Sequence, residues 1–140
     1  MNIEKVLFKD RDDAFDQLCN DLPIDEMLLE SWIVIATSAG GVPIAKALSK
    51  KLNAKFDFLF THKVFASKNN ECEIAIVTET GEIVIHEELM RSFSLDLDEI
   101  YKEANEKLDN EIDSYKVKYR NSLDIMELSS KNVLLVDEGL

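Results

Sequence analysis

The run Val133-Leu134-Leu135-Val136-Asp137-Glu138-Gly139-Leu140 carries an apolar stretch into two adjacent carboxylates and a glycine. Two acids in that position can accept hydrogen bonds from a vicinal diol, such as that of a ribose. They can also hold a hard divalent cation through oxygen, with Asp137 as the candidate ligand. The geometry favours this where the apolar stretch is a parallel strand, because ligands of open α/β sheets lie beyond the carboxyl ends of the strands. The plainer alternative is a pair of solvated acids closing a strand in an acidic chain.

A second stretch with chemical potential is Thr37-Ser38-Ala39-Gly40-Gly41, a loop of small residues that leads directly into a helix. Gly40 and Gly41 let backbone approach a ligand closely, and the helix behind them presents unsatisfied N–H groups, a combination that suits pyrophosphate. Taken alone, two glycines between a strand and a helix are more simply a tight turn. Lys63 and Lys68 form a basic spot that could guide a phosphate, although exposed lysines are ordinarily neutral. His62 and His86 stand apart from each other and from Cys19 and Cys72, so no metal constellation is legible.

These residues need elements to hold them. Asp10 to Leu22 has apolar residues at helical spacing, and Pro23 stops it. Trp32-Ile33-Val34-Ile35-Ala36 is a continuous apolar run of the buried parallel-strand kind, as is Val133 to Val136. Val42-Pro43 opens a helix through about Leu52, with Pro tolerated in the first turn and Asn53 as its stop. Phe56 to Thr61 reads as the next strand, its alternating Phe56, Phe58 and Phe60 on one core face. This completes a right-handed strand–helix–strand unit. A polar loop from Ala66 to Glu71 follows. Glu73 to Val77 and Glu82 to Ile85 then form a hairpin around Glu79-Thr80-Gly81. From Asp96, with Glu99 at capping-box spacing, a long amphipathic helix places Leu97, Ile100, Ala104, Leu108, Ile112, Tyr115 and Tyr119 on one stripe.

The chain has 140 residues, 46% of them hydrophobic and 31% charged, values expected of one globular domain. Its net charge of −12 repels nucleic acid and anionic membranes, so a bound phosphate must be held by local groups. No apolar run is long enough to span a bilayer, and Met1-Asn2-Ile3-Glu4-Lys5 does not open a signal peptide. With two cysteines at no metal-ligand spacing, the expectation is a cytoplasmic protein.

Several stretches in order resemble the type I phosphoribosyltransferases, in the branch of unassigned substrate. They are Phe8-Lys9-Asp10-Arg11-Asp12-Asp13-Ala14, Gly40-Gly41-Val42-Pro43-Ile44-Ala45, His62-Lys63-Val64, Asn70-Glu71, Ala75-Ile76, Tyr119-Arg120 and Val133 to Leu140. The resemblance implies an α/β fold with a doubly wound parallel sheet and an inserted β-hairpin, its C-terminal part missing. It implies transfer of ribose 5-phosphate from phosphoribosyl pyrophosphate to a nitrogenous base or related small-molecule acceptor, with Mg²⁺ on the pyrophosphate. By position, Asp137 and Glu138 would bind the ribose hydroxyls, with Gly139 in the same loop. Ala39, Gly40 and Gly41 would face the pyrophosphate, and Lys63 would sit near that leaving group.

Two departures accompany the resemblance. Ser38-Ala39 stands where this branch carries an Arg, which removes a strong anion clamp. The sequence also stops at Leu140, before the Thr-Gly-x-Thr turn that wraps the 5-phosphate. The expectation is a chain truncated within its ribose-phosphate motif. The alternative is a non-catalytic nucleotide sensor or scaffold on the same fold. An apolar strand with an open edge is a pairing hazard, so a homodimer through the C-terminal region is expected.

Overall fold

The structure, a computed structural model, describes residues 7–67 and 69–139. Residues 1–6, Lys68 and Leu140 lie outside the described residues. The chain divides into two compact units, Met1–Phe58 with Met126–Leu140 and Leu59–Ile125. The fold is mixed α/β, with a three-stranded parallel sheet in the first unit and a three-stranded antiparallel sheet in the second.

In the first unit, α1 (Arg11–Asp21) starts where the Asp10 carboxylate accepts from the Asp13 amide at 2.8 Å. A short helix, α2 (Ile24–Met27), follows Pro23. Strand β1 (Trp32–Ala36) is buried from Ile33 onward and occupies the centre of its sheet. Helix α3 (Val42–Lys51) ends at Leu52, and Asn53 turns the chain with φ 49°. The parallel partners of β1 are β2 (Lys55–Phe58) on one side and the last strand, Asn132–Val136, on the other. Val34 and Ala36 point one way from β1 and pack with Ala45, Leu48, Leu52, Met27 and Val136. Full burial of the larger side chains here, Val34, Leu48 and Leu52, contributes about 1.5–3 kcal/mol each.

The second unit begins inside the run expected to be a single strand. Phe56 to Thr61 is interrupted: β2 stops at Phe58, and β3 (Thr61–Ala66) opens a different sheet. Two carboxylates lie at the break. Asp57 accepts from its neighbour's amide, Phe58 N, at 2.8 Å and from Met126 N at 3.1 Å, at the end of the ladder where Phe58 stands opposite Ala36. Phe60 donates its amide to Glu79 Oε1 at 2.9 Å, and its carbonyl accepts from Glu79 N at 3.0 Å. Phe60 is therefore not a third member of the Phe56–Phe58 face. It is buried in the second unit beside the rings of Tyr115 and Tyr119.

β3 pairs antiparallel with β4 (Asn69–Thr78), so the polar loop expected over Ala66–Glu71 is mostly strand, with register shifts near Phe65. β4 pairs in turn with β5 (Ile83–Ile85), the expected hairpin. Gly81 sits in its turn at φ +83°, a conformation that side chains rarely adopt. His86, exposed at the surface, caps α4 (Glu87–Ser92).

The long amphipathic helix is present but not uniform. It runs as α5 (Leu97–Lys107), a π-helical turn (Leu108–Ile112) and α6 (Asp113–Arg120). At its start the Asp96 carboxylate accepts from Asp98 N at 2.9 Å. The repeated i+4 spacing Ile100, Ala104, Leu108, Ile112 drifts around an ideal helix of about 3.6 residues per turn. A wider π turn takes up that drift, and Ile100, Ala104 and Ile112 are all buried. Arg120 closes the helix in an ion pair with the buried Glu79 carboxylate, its guanidinium 4.4 Å from the Phe60 ring centroid. No helix among the described residues is long and apolar enough to cross a membrane.

Candidate functional site

The last strand, β6 (Asn132–Val136), lies parallel to β1 with Ala36 opposite Val136. From β1 the chain crosses through α3 to β2 on one side, while β6 lies on the other, in the order β2-β1-β6. Strand order therefore reverses between β1 and β6, which is where open α/β sheets form their ligand crevices. The loops leaving the carboxyl ends of these two strands are Thr37 to Gly41 and Asp137 to Gly139. The structure thus brings together Ala39, Gly40, Gly41, Asp137, Glu138 and Gly139.

Several bonds hold the two loops. Thr37 N donates to the Val136 carbonyl at 3.0 Å, extending the ladder by one residue. Ser38 Oγ accepts from Gly41 N at 3.1 Å and from Glu138 N at 3.2 Å, so one hydroxyl links both loops. Glu138 N also donates to Asp137 Oδ1 at 2.7 Å. The Gly41 and Glu138 amides are therefore engaged within the protein.

The glycines are explained by what lies against them. A Cβ on Gly40 would fall 1.8 Å from Glu138 Oε2, because that carboxylate rests directly on the Gly40 backbone. A Cβ on Gly41 would sit 3.1 Å from the Val136 carbonyl and 3.2 Å from Asp137 Cα. Close approach is thus a fact of this loop, and the approaching group is the other loop. An open hollow of about 380 Å³ is lined by Thr37, Leu135, Asp137 and Gly139, a volume in the range of small-molecule sites.

Arg11, in the first turn of α1, donates from a guanidinium nitrogen to Glu138 Oε1 at 3.3 Å. The sequence alone assigns neither Arg11 nor Ser38 a task here. An acid–arginine motif ahead of a helix and a serine before a glycine pair carry no local sign of their targets. Lys63 belongs to the other unit, on β3, and pairs with Glu73 at 2.8 Å. Among the described residues no group of three or more His, Cys, Asp or Glu side chains could hold a metal ion. The strand leading to the acids is parallel, as expected, but not buried throughout: Val136 is covered, whereas Leu135 is 63% exposed on this edge strand.

No family model matches the chain. It is 27% identical over 134 residues to proteins named "Putative phosphoribosyl transferase" from two strains of Mycobacterium tuberculosis, CDC 1551 and H37Rv. The match covers 96% of this chain but only 30% of the length of those relatives. These are distant relatives, and they support a relationship to the phosphoribosyltransferases. The crystal structure of TT1426 from Thermus thermophilus is similar at a TM-score of 0.65 and 26% identity. That likeness covers 93% of this chain and 60% of that one.

Proposed function

We propose that the crevice between β1 and β6 is a ribose-phosphate site, and that the chain contributes it to transfer of ribose 5-phosphate from phosphoribosyl pyrophosphate to a nitrogenous acceptor. The observation that carries this reading is the pairing of β1 with β6. It sets a glycine-rich loop beside an acid pair where strand order reverses. The distant relatives named for this chemistry support it, and their greater length makes the activity of the whole protein part of the proposal.

The chemistry asks little covalent work of the protein. Breaking the glycosidic bond to pyrophosphate leaves positive charge on the sugar, so orientation and fixed negative charge supply most of the stabilisation. Asp137 and Glu138 would accept from the ribose hydroxyls and place carboxylates near that charge. The Ala39–Gly41 backbone would face the pyrophosphate, with Gly139 leaving room beside it.

The residues present fit Mg²⁺ only as a shared ligand. Asp137 offers a carboxylate in an exposed loop, and no protein cage surrounds it among the described residues. Mg²⁺ commonly takes one or two carboxylates, waters and substrate phosphates, and bound there it would neutralise the pyrophosphate.

The rival reading is a nucleotide sensor or scaffold without turnover. One observation favours it: Ser38, in place of an arginine, ties up two loop amides. Titration calorimetry with phosphoribosyl pyrophosphate and Mg²⁺ tests the site itself. Saturable binding that is lost in Asp137→Asn is the expected result, and no heat at about 10 mM ligand, a free energy weaker than about −3 kcal/mol, would sink it. Release of pyrophosphate in the presence of candidate bases separates the enzyme from the sensor.

A further inference from the structure

The Glu138 carboxylate occupies an unusual place for an exposed acid. One of its oxygens rests on the Gly40 backbone where a Cβ would otherwise be, and the other accepts from the Arg11 guanidinium. The seat it fills therefore combines a backbone without side chains and a cation, at the mouth of the β1–β6 crevice. That combination suits a phosphoryl oxygen as well as it suits a carboxylate. The rest of the chain, at net charge −12, offers no general attraction for an anion.

Resting on the phosphoribosyl reading above, we propose that Arg11 is a binding residue for the pyrophosphate group and that Glu138 is its exchangeable placeholder. Glu138 holds Arg11 over the Gly40 loop, and an arriving pyrophosphate takes both the guanidinium and the seat. The displaced carboxylate is then free to turn to the ribose hydroxyls. Arg11 and Glu138 side chains are 60% and 63% exposed, so their ion pair is weak and readily exchanged. A guanidinium on a phosphate makes two parallel charge-assisted bonds, which favours the exchange. This assigns to α1 the anion clamp that Ser38-Ala39 does not supply.

The test is a double-mutant cycle on the 140-residue chain, read by calorimetric titration with inorganic pyrophosphate and Mg²⁺. Arg11→Gln is expected to weaken binding by about tenfold, the worth of one charged hydrogen bond, with Arg11→Lys in between. Glu138→Gln is expected to tighten it. That gain must be at least about threefold larger when Arg11 is present, because simple removal of a negative charge would help equally in both backgrounds. Arg11→Gln binding like the parent, strictly additive effects, or no pyrophosphate binding by either the parent or Glu138→Gln would each overturn the proposal. Both side chains are exposed, and thermal melts of all variants check that folding is unchanged. The phosphoribosyl reading fails on a separate result: phosphoribosyl pyrophosphate binding no tighter than pyrophosphate, with the Arg11–Glu138 coupling intact.

Discussion

At the level of single residues, the two glycines of the first loop look alike in the sequence and behave differently in the fold. The atoms beyond a Cβ at Gly40 belong to the free end of the Glu138 side chain, which can swing into solvent. Those beyond a Cβ at Gly41 are largely backbone at the end of β6. Gly40→Ala is therefore expected to change stability by no more than about 0.5 kcal/mol while dislodging Glu138 from its seat. Gly41→Val forces branched methyls against the Val136 carbonyl and is expected to cost about 1–3 kcal/mol. Urea denaturation of the two variants checks the contrast, and equal losses would refute it.

Among the elements, the helix from Leu97 to Arg120 shows how a sequence stripe is converted into packing by an irregularity. Its end is tied by Lys116, which donates to Asp124 at 2.5 Å. That hydrogen bond, with the lysine's charge, holds the Asp124 carboxyl below its ordinary value of 3.8. The same bond raises the Lys116 ammonium above 10.5. The Ser129 amide and hydroxyl likewise lower the Glu127 carboxyl. A carboxylate with a depressed folded pKa contributes stability above its unfolded value and loses it as pH falls through the folded one. A lysine with a raised pKa contributes below 10.5 and loses it as pH rises through the raised value. Asp124→Asn is therefore expected to lower the melting temperature at neutral pH, with the difference from the parent vanishing well below pH 3.8. A difference that persists in strong acid would count against this linkage.

At the scale of the molecule, the salient feature among the described residues is the edge formed by β6. Among the described residues β6 pairs on one side only, and Leu135 is 63% exposed on it. An apolar edge strand invites another strand, and we propose that a second copy of the chain supplies it. Sedimentation is expected to give a dimer for the 140-residue chain and a monomer for Leu135→Lys. A monomeric parent at high concentration would refute the dimer.

The sequence by itself determined what depends on near neighbours. The apolar run Trp32–Ala36, the proline-opened helix after it, the Gly81 turn and the Asp96 start all follow from spacing and punctuation, and all are present. The acid pair and the glycine pair were legible as residues able to do chemistry, because residue type alone says that much. That they share one crevice was decided by burial in the tertiary structure. Val136 must pack against β1, which sets Asp137 and Glu138 beside a loop about a hundred residues away in sequence. The Arg11–Glu138 contact, at a separation of 127 residues, follows from the same packing and has no local signature. Phe60 marks the opposite case. Its alternation with Phe56 and Phe58 suggests one strand, whereas its amide and carbonyl bond to Glu79 just before β3 opens the second sheet. Periodicity is a local property, whereas the choice of partner strand is made by the hydrophobic surface and hydrogen bonds of the whole chain.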